Sequence, residues 1–225
     1  ALYGKGPFEL LRDIGFFESG CVAAHCHHVT DNDLAILRKA GATVAHCPVL
    51  NALRGAAAPV RRMIDEGVPV ALGLDNYFSD YFDAMRMFIS VARMRERDAT
   101  LFRARDAFRA ATLDAARALR MDDQIGSIEI GKKADIQLVD VARLGVVPVV
   151  DPVAALVYHA HAGDVSTVLI DGVAVMLDGC VMQVDEHAAL ADAQRLGALA
   201  WRRFAVRYPE KLDTLRWTPD SIPNL

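Results

Sequence analysis

The sequence predicts an α/β protein with buried parallel strands that gives way to an antiparallel β segment. Between residues 21 and 75, short apolar runs alternate with amphipathic stretches. The runs Cys21 to His25, Thr43 to His46 and Val68 to Leu72 are too apolar to leave one face in water, as in strands covered on both faces. From residue 125 onward, short β runs are joined by Asp-Gly pairs, the dipeptide that tight hairpins favour.

The elements follow in order. Phe8 to Ile14 reads as a helix, and Cys21 to His25 as a short buried strand. Thr30 caps the next helix, with Asp33 three residues on. Leu34, Ile36 and Leu37 share one face of it, and Gly41 stops it. Thr43 to His46 is the second strand. A loop with Asn51 and Gly55 leads to Pro59, a favoured first residue of a helix. Val60, Met63 and Ile64 form that helix's stripe, and Gly67 ends it. The third strand, Val68 to Leu72, closes on Gly73-Leu74-Asp75. Residues 81–121 read as two or three helices, with Phe82, Met85, Phe88, Ile89 and Ala92 on one stripe and Thr100 and Thr112 as caps. Ile128 to Asp135 reads as a turn between two strands, the second being Ile136 to Val139. Asp151 to His159 is a short helix. Val165 to Ile170 and Val173 to Met176 flank Asp171-Gly172, and Asp178-Gly179 repeats the hairpin signal. A long amphipathic helix runs from about Glu186 to Tyr208 through Leu190, Leu196, Leu199 and Phe204; Thr218 to Pro223 is irregular.

Composition narrows the function. The 225 residues are 53% apolar and 24% charged, enough for a sizeable globular core. A net charge of −4 supplies no basic field for nucleic acid or an anionic membrane. No run reaches the roughly 18 apolar residues of a membrane span. The start, Ala1 to Pro7, has neither an initiator Met nor a signal-peptide pattern and reads as the interior of a longer protein. Cys21, Cys26, Cys47 and Cys180 form no Cys-x-x-Cys pair and read as buried, reduced thiols of a cytoplasmic protein.

Three successive apolar runs end in a polar residue: His25, His46 and Asp75. In a parallel α/β barrel the C-terminal strand ends form the active-site rim. His and Asp ligate a first-row metal or move protons there. An Asp does both when one oxygen binds metal and the other takes a proton. Spacing alone leaves plainer readings open, because a strand-end His is commonly a hydrogen-bonded core residue and an Asp after Gly-Leu is commonly a turn or cap. His27 and His28 read as loop residues, and His159, His161 and His187 as structural.

The motifs also resemble a known family. Val22-Ala23-Ala24-His25-Cys26-His27-His28-Val29-Thr30-Asp31 resembles the sixth barrel strand of the amidohydrolase superfamily. The likeness is to the branch of cytosine, guanine and S-adenosylhomocysteine deaminases and triazine hydrolases. Val44-Ala45-His46-Cys47-Pro48 with Asn51 resembles the next strand and its loop, although Val49-Leu50 replace the usual small polar residues. Ala58-Pro59-Val60 and Gly67 to Asp75 resemble the eighth-strand signature, with Leu74 for the usual Thr. Gly126 to Asp135 is similar to the turn into the family's β domain, and Val168 to Gly172 to its hairpin.

The resemblance implies the C-terminal part of a (β/α)8 TIM-type barrel plus part of a small β-sandwich. Residues 1–124 would be the barrel's closing half, 125–185 the β-sandwich segment, and 186–225 a C-terminal helix and tail. It implies one divalent metal ion, zinc first and iron as the alternative, with Asp75 as ligand and proton acceptor. His25 would hydrogen-bond the attacking water or the reacting group. Ser79 and Asn51 would contact substrate, with His46 structural or supporting. The bulk of Asn76-Tyr77-Phe78 would narrow the pocket. The first-strand His-x-His, the fifth-strand His and the Glu three residues after it are expected outside these residues. The implied reaction is hydrolytic deamination of a purine, pyrimidine, pterin or triazine in a cytoplasmic homodimer. Chlorohydrolase or amide-hydrolase chemistry is the alternative, as is a non-catalytic fragment lacking the N-terminal ligands.

Overall fold

A computed structural model describes residues 4–76 and 78–211; Tyr77 and the stretch Thr218 to Pro223 lie outside the described residues. Helix α1 (Pro7–Asp13) opens on a proline, and Glu9 folds back to accept from the Gly6 N–H at 2.8 Å. Strand β1 (Val22–Ala24) leads to α2 (Asp31–Lys39). There Thr30 Oγ1 accepts from the Asp33 N–H at 3.2 Å while Asp33 Oδ2 accepts from the Thr30 N–H at 2.9 Å, a reciprocal capping box. Leu34, Ile36 and Leu37 are buried on its inner face.

After β2 (Thr43–His46) comes α3 (Pro48–Leu53), a helix where the sequence reads as a loop. Pro48 sets its first turn and the Asn51 N–H reaches Cys47 O at 3.1 Å. Six residues are too few to display a helical period. Pro59 is the cap of α4 (Val60–Asp65), not its first helical residue. Strand β3 (Val70–Leu72) is shorter than the apolar run that announces it. The three strands are parallel in the order β1-β2-β3, with Ala24 beside Ala45 and Ala45 beside Ala71.

Helices α5 (Tyr81–Glu96), α6 (Ala104–Ala111) and α7 (Leu113–Ala118) follow without a strand. Asp80 caps α5, its carboxylate accepting from the Phe82 and Asp83 N–H groups at 2.8 and 3.2 Å. Thr100 does not cap the next helix, and Thr112 stands at the N-cap of α7 without a side-chain cap bond. Thr100 donates its N–H and Oγ1 to Asp98, and Asp106 instead folds back to the Arg103 N–H at 2.7 Å. Thr112 ends α6, where its Oγ1 finds the Phe108 carbonyl four residues back at 2.8 Å. Phe88, Ile89, Met63, Leu34 and Leu37 fill the core between these helices and the sheet.

The second sheet is antiparallel, in the order β4 (Ile136–Val139), β5 (Val165–Ile170), β6 (Val173–Leu177), β7 (Cys180–Val181), with α8 (Pro152–His159) inserted after β4. Asp171-Gly172 (φ 51° and 78°) and Asp178-Gly179 (φ 49° and 80°) both take the left-handed pair of a type I′ turn. No strand precedes the turn ending at Asp135 among the described residues; Ile128 and Ile130 there are fully exposed, so no packing rewards an extended run. One antiparallel sheet is present among the described residues. Helix α9 (Glu186–Arg207) buries only Ala198 and exposes Leu190 and Leu196. No described helix is long and apolar enough to cross a membrane.

Candidate active site

The site lies where β1 and β3 run out. Past Ala24 the chain turns sharply: His25 has φ 66° and Cys26 φ 49°, while the His25 N–H stays tied to Ala45 O at 3.0 Å. Past Leu72, the Gly73 N–H reaches His46 O at 2.8 Å and Asp75 takes φ 67°. For a side-chain-bearing residue this left-handed backbone costs about 1–2 kcal/mol, a strain that surrounding contacts must hold. The two turns bring His25 Nε2 within 3.1 Å of Asp75 Oδ2, with the side chains 26% and 24% exposed. The other ring nitrogen, Nδ1, lies 3.0 Å from Asn51 Oδ1.

Cys47 joins the pair. One donor atom each from His25, Cys47 and Asp75 lies within 4.8 Å of the others. Burial first, and the Asp75 charge second, push the Cys47 thiol pKa up. Nitrogen, sulfur and carboxylate oxygen are donors that zinc accepts, and this spacing lets them share one ion. The residues therefore fit a divalent metal. The sequence reading missed Cys47, and strand parity is the signal that finds it. Neighbouring side chains on a strand face opposite ways, so Cys47 shares a side with Ala45. A methyl group placed on Gly73 would lie 3.0 Å from Cys47 Sγ and 3.8 Å from Ala45 Cβ.

His46 faces the other way. Its ring packs 5.9 Å from Phe88 of α5, and the residue is 1% exposed. Burial first, and the electrostatic effect of nearby His25 second, lower its pKa to about 4. Its Nδ1 has no hydrogen-bond partner among the described residues. The three strand-end residues are thus not equivalent. The ladder sets His46 beside Leu72, and Asp75 comes three residues later.

The expected substrate contacts divide. Asn51 is 2% exposed and meets His25, not open space. Ser79 is exposed and lines a cavity of about 770 Å³ between the helices and the second sheet, together with Tyr81, Thr112, Asp135 and Leu169. Neither His25 nor Asp75 lines that cavity. Tyr81 donates its hydroxyl to Leu72 O at 2.9 Å, tying α5 to β3. His27 and His28 lie in the turn after His25 with ring centres 4.3 Å apart and planes tilted by 58°. A second group, Asp80, Asp83 and His161, is already engaged: Arg86 bridges Asp83 and His161, and Asp80 accepts from the Ala162 N–H at 3.0 Å.

Residues 3–175 match the model of the amidohydrolase family, and the chain belongs to that family. It is 35% identical over 193 residues to a 5-methylthioadenosine/S-adenosylhomocysteine deaminase of Pyrococcus abyssi, covering 84% of this chain and 45% of that protein. Its fold is similar to that of an adenosine deaminase from Xanthomonas campestris solved with bound zinc: TM-score 0.80, 32% identity, 86% of this chain and 45% of the other. It is also similar to a zinc complex of atrazine chlorohydrolase from Arthrobacter aurescens: TM-score 0.75, 25% identity, 87% of this chain and 44% of the other. The chain spans a little under half the length of the relatives it matches.

Proposed function

We propose that the complete protein is a metal-dependent hydrolase that deaminates an amino-substituted N-heterocycle, with purine nucleosides first among purines, pyrimidines, pterins and triazines. The observation that carries this reading is the 3.1 Å approach of His25 Nε2 to Asp75 Oδ2 across two strand ends, in a chain of this family. The deaminase relatives support the substrate class. Asp75 would hold a divalent ion, zinc first and iron as the alternative, with Cys47 and His25 within reach. The ion would supply Lewis acidity and a water acidified from about 15.7 toward 7. Asp75 accepts the proton of the water that adds to the ring carbon. His25 Nε2 points to the same place and would accept a hydrogen bond from the attacking water. Ammonia is the leaving group. Ser79 would meet the more distant part of a substrate extended toward its cavity.

The same reading completes the architecture. The three-stranded parallel sheet would be the closing part of an eight-stranded TIM-type barrel spanning residues 1–124. Residues 125–185 would contribute to a β-sandwich, and residues 186–225 a terminal helix and tail, in a cytoplasmic homodimer. The test uses the complete protein: metal analysis, an ammonia-release screen of heterocycles, and Asp75→Asn. Turnover is expected to vanish in the variant. Retained turnover with normal metal content would overturn the assignment. Chloride release from chloro-heterocycles without ammonia release would replace deamination with dehalogenation.

A further inference from the structure

We propose that Asn51 is the positioning residue for His25, fixing which ring nitrogen faces the reaction centre. The proposal rests on the reading of His25 given above. An imidazole offers two nitrogens with opposite hydrogen-bonding roles, and the partner of one sets the role of the other. The Asn51 amide oxygen only accepts, so at 3.0 Å it selects the form of His25 that carries a proton on Nδ1. Nε2 is then the atom turned toward Asp75.

The two partners are unequally held. His25 sits on a left-handed turn with its side chain 26% exposed. Its backbone bond to Ala45 fixes where the ring starts, not how it is rotated. The nearby His27 ring stands at 6.4 Å, edge to face, too far to hold it by a hydrogen bond. Asn51 is 2% exposed on α3. Its N–H reaches Cys47 O at 3.1 Å, and its carbonyl accepts from the Arg54 and Ala56 N–H groups at 3.1 and 2.8 Å. A buried acceptor on an anchored backbone, its own Nδ2 without a hydrogen-bond partner among the described residues, therefore faces a partly open ring. The same burial keeps Asn51 behind His25 as seen from Asp75, so its influence on substrate passes through the imidazole. The short helix that the sequence conceals is what delivers the amide there.

The test compares the zinc-loaded complete protein with Asn51→Leu and Asn51→Asp. Zinc content, kcat and KM for adenosine and 5′-methylthioadenosine, and the His25 ring nitrogens by ¹⁵N NMR are measured. Leu removes the acceptor while keeping the branched shape, and Asp restores it. Partners of this kind are worth about 10–100-fold in activity. The leucine variant is expected to keep its zinc and its KM within a few-fold, and to lose about 10–100-fold in kcat. The aspartate variant recovers most of that loss. The Nδ1 proton signature is present in wild type and in Asn51→Asp and lost in Asn51→Leu. A wild-type kcat in Asn51→Leu, a defect confined to KM, no recovery in Asn51→Asp, or an unchanged ring signature overturns the proposal. If the leucine variant does not fold, Asn51→Ser, whose hydroxyl falls short of the ring, replaces it. If wild type releases no ammonia from either nucleoside or from any other heterocycle, the deamination reading fails separately. The ring signature then decides the positioning role alone.

Discussion

Acid should destabilise this protein through His46, and replacing that one residue should remove the effect. The ring is 1% exposed, packs on Phe88 and leaves Nδ1 without a partner. Burial holds its pKa near 4 instead of the usual 6.5. In the folded protein His46 is therefore neutral where the unfolded chain takes up a proton. The sign follows: stability is complete above pH 6.5 and is lost as the pH falls toward 4. At about 1.4 kcal/mol per pKa unit the loss is roughly 3 kcal/mol. His46→Leu keeps similar volume against Phe88 and removes the titrating group. At neutral pH it should change stability by no more than about 1.5 kcal/mol. Urea unfolding of the complete protein and of the variant at neutral pH and near pH 4 measures the difference. Wild type should lose roughly 3 kcal/mol more than the variant over that interval. Other acidic groups titrate in both proteins and cancel. Equal losses would refute the buried, neutral imidazole.

Two further predictions concern packing and thiol chemistry. Gly126 has φ 91°, and a methyl group there would lie 2.6 Å from Ala116 Cβ and 3.2 Å from Leu113 Cα. Gly126→Ala should cost about 1–3 kcal/mol in thermal or urea unfolding, and a neutral result would place this turn elsewhere than against α7. Cys180 is exposed, whereas Cys26 is buried and its thiol is pushed up to about 11. Alkylation of the native protein at mildly alkaline pH, followed by peptide mass spectrometry, should label Cys180 well before Cys26; the reverse order would contradict the burial.

What the sequence made legible depended on how local its cause was. The Asp-Gly hairpins were readable because two residues determine the turn, and the Thr30/Asp33 box because a cap needs only four. The three parallel strands were readable because burial on both faces leaves an unbroken apolar run. Helix α3 was hidden since six residues carry no period and Asn51 resembles a loop residue. The cap expected at Thr100 failed because Asp98, two residues earlier, captures its hydroxyl and its N–H. His25 and Asp75 stood out as polar residues closing apolar runs. That rule also selected His46, whose orientation is set by pairing with Leu72 and contact with Phe88, neither of which is local. Cys47 looked like one more buried thiol until the ladder fixed the side it faces. Asn51 was singled out from motif likeness as a substrate contact, and its position behind His25 needed the helix to be seen.

The left-handed turns at His25, Cys26 and Asp75 have a consequence for how such a site persists over generations. Glycine is the residue those three backbones prefer, since it alone adopts positive φ without strain. Mutation toward it meets no backbone resistance, and in part relieves strain, at His25 and Asp75, the proposed reacting groups, and at Cys26 beside them. The chain's own stability therefore gives no protection against losing His25 or Asp75. A lineage released from the need for its chemistry would shed these side chains early and keep the surrounding helices and sheet, whose buried residues are defended by packing. A copy of this fold with glycine at all three positions would be recognisable in outline and would lack both proposed reacting groups.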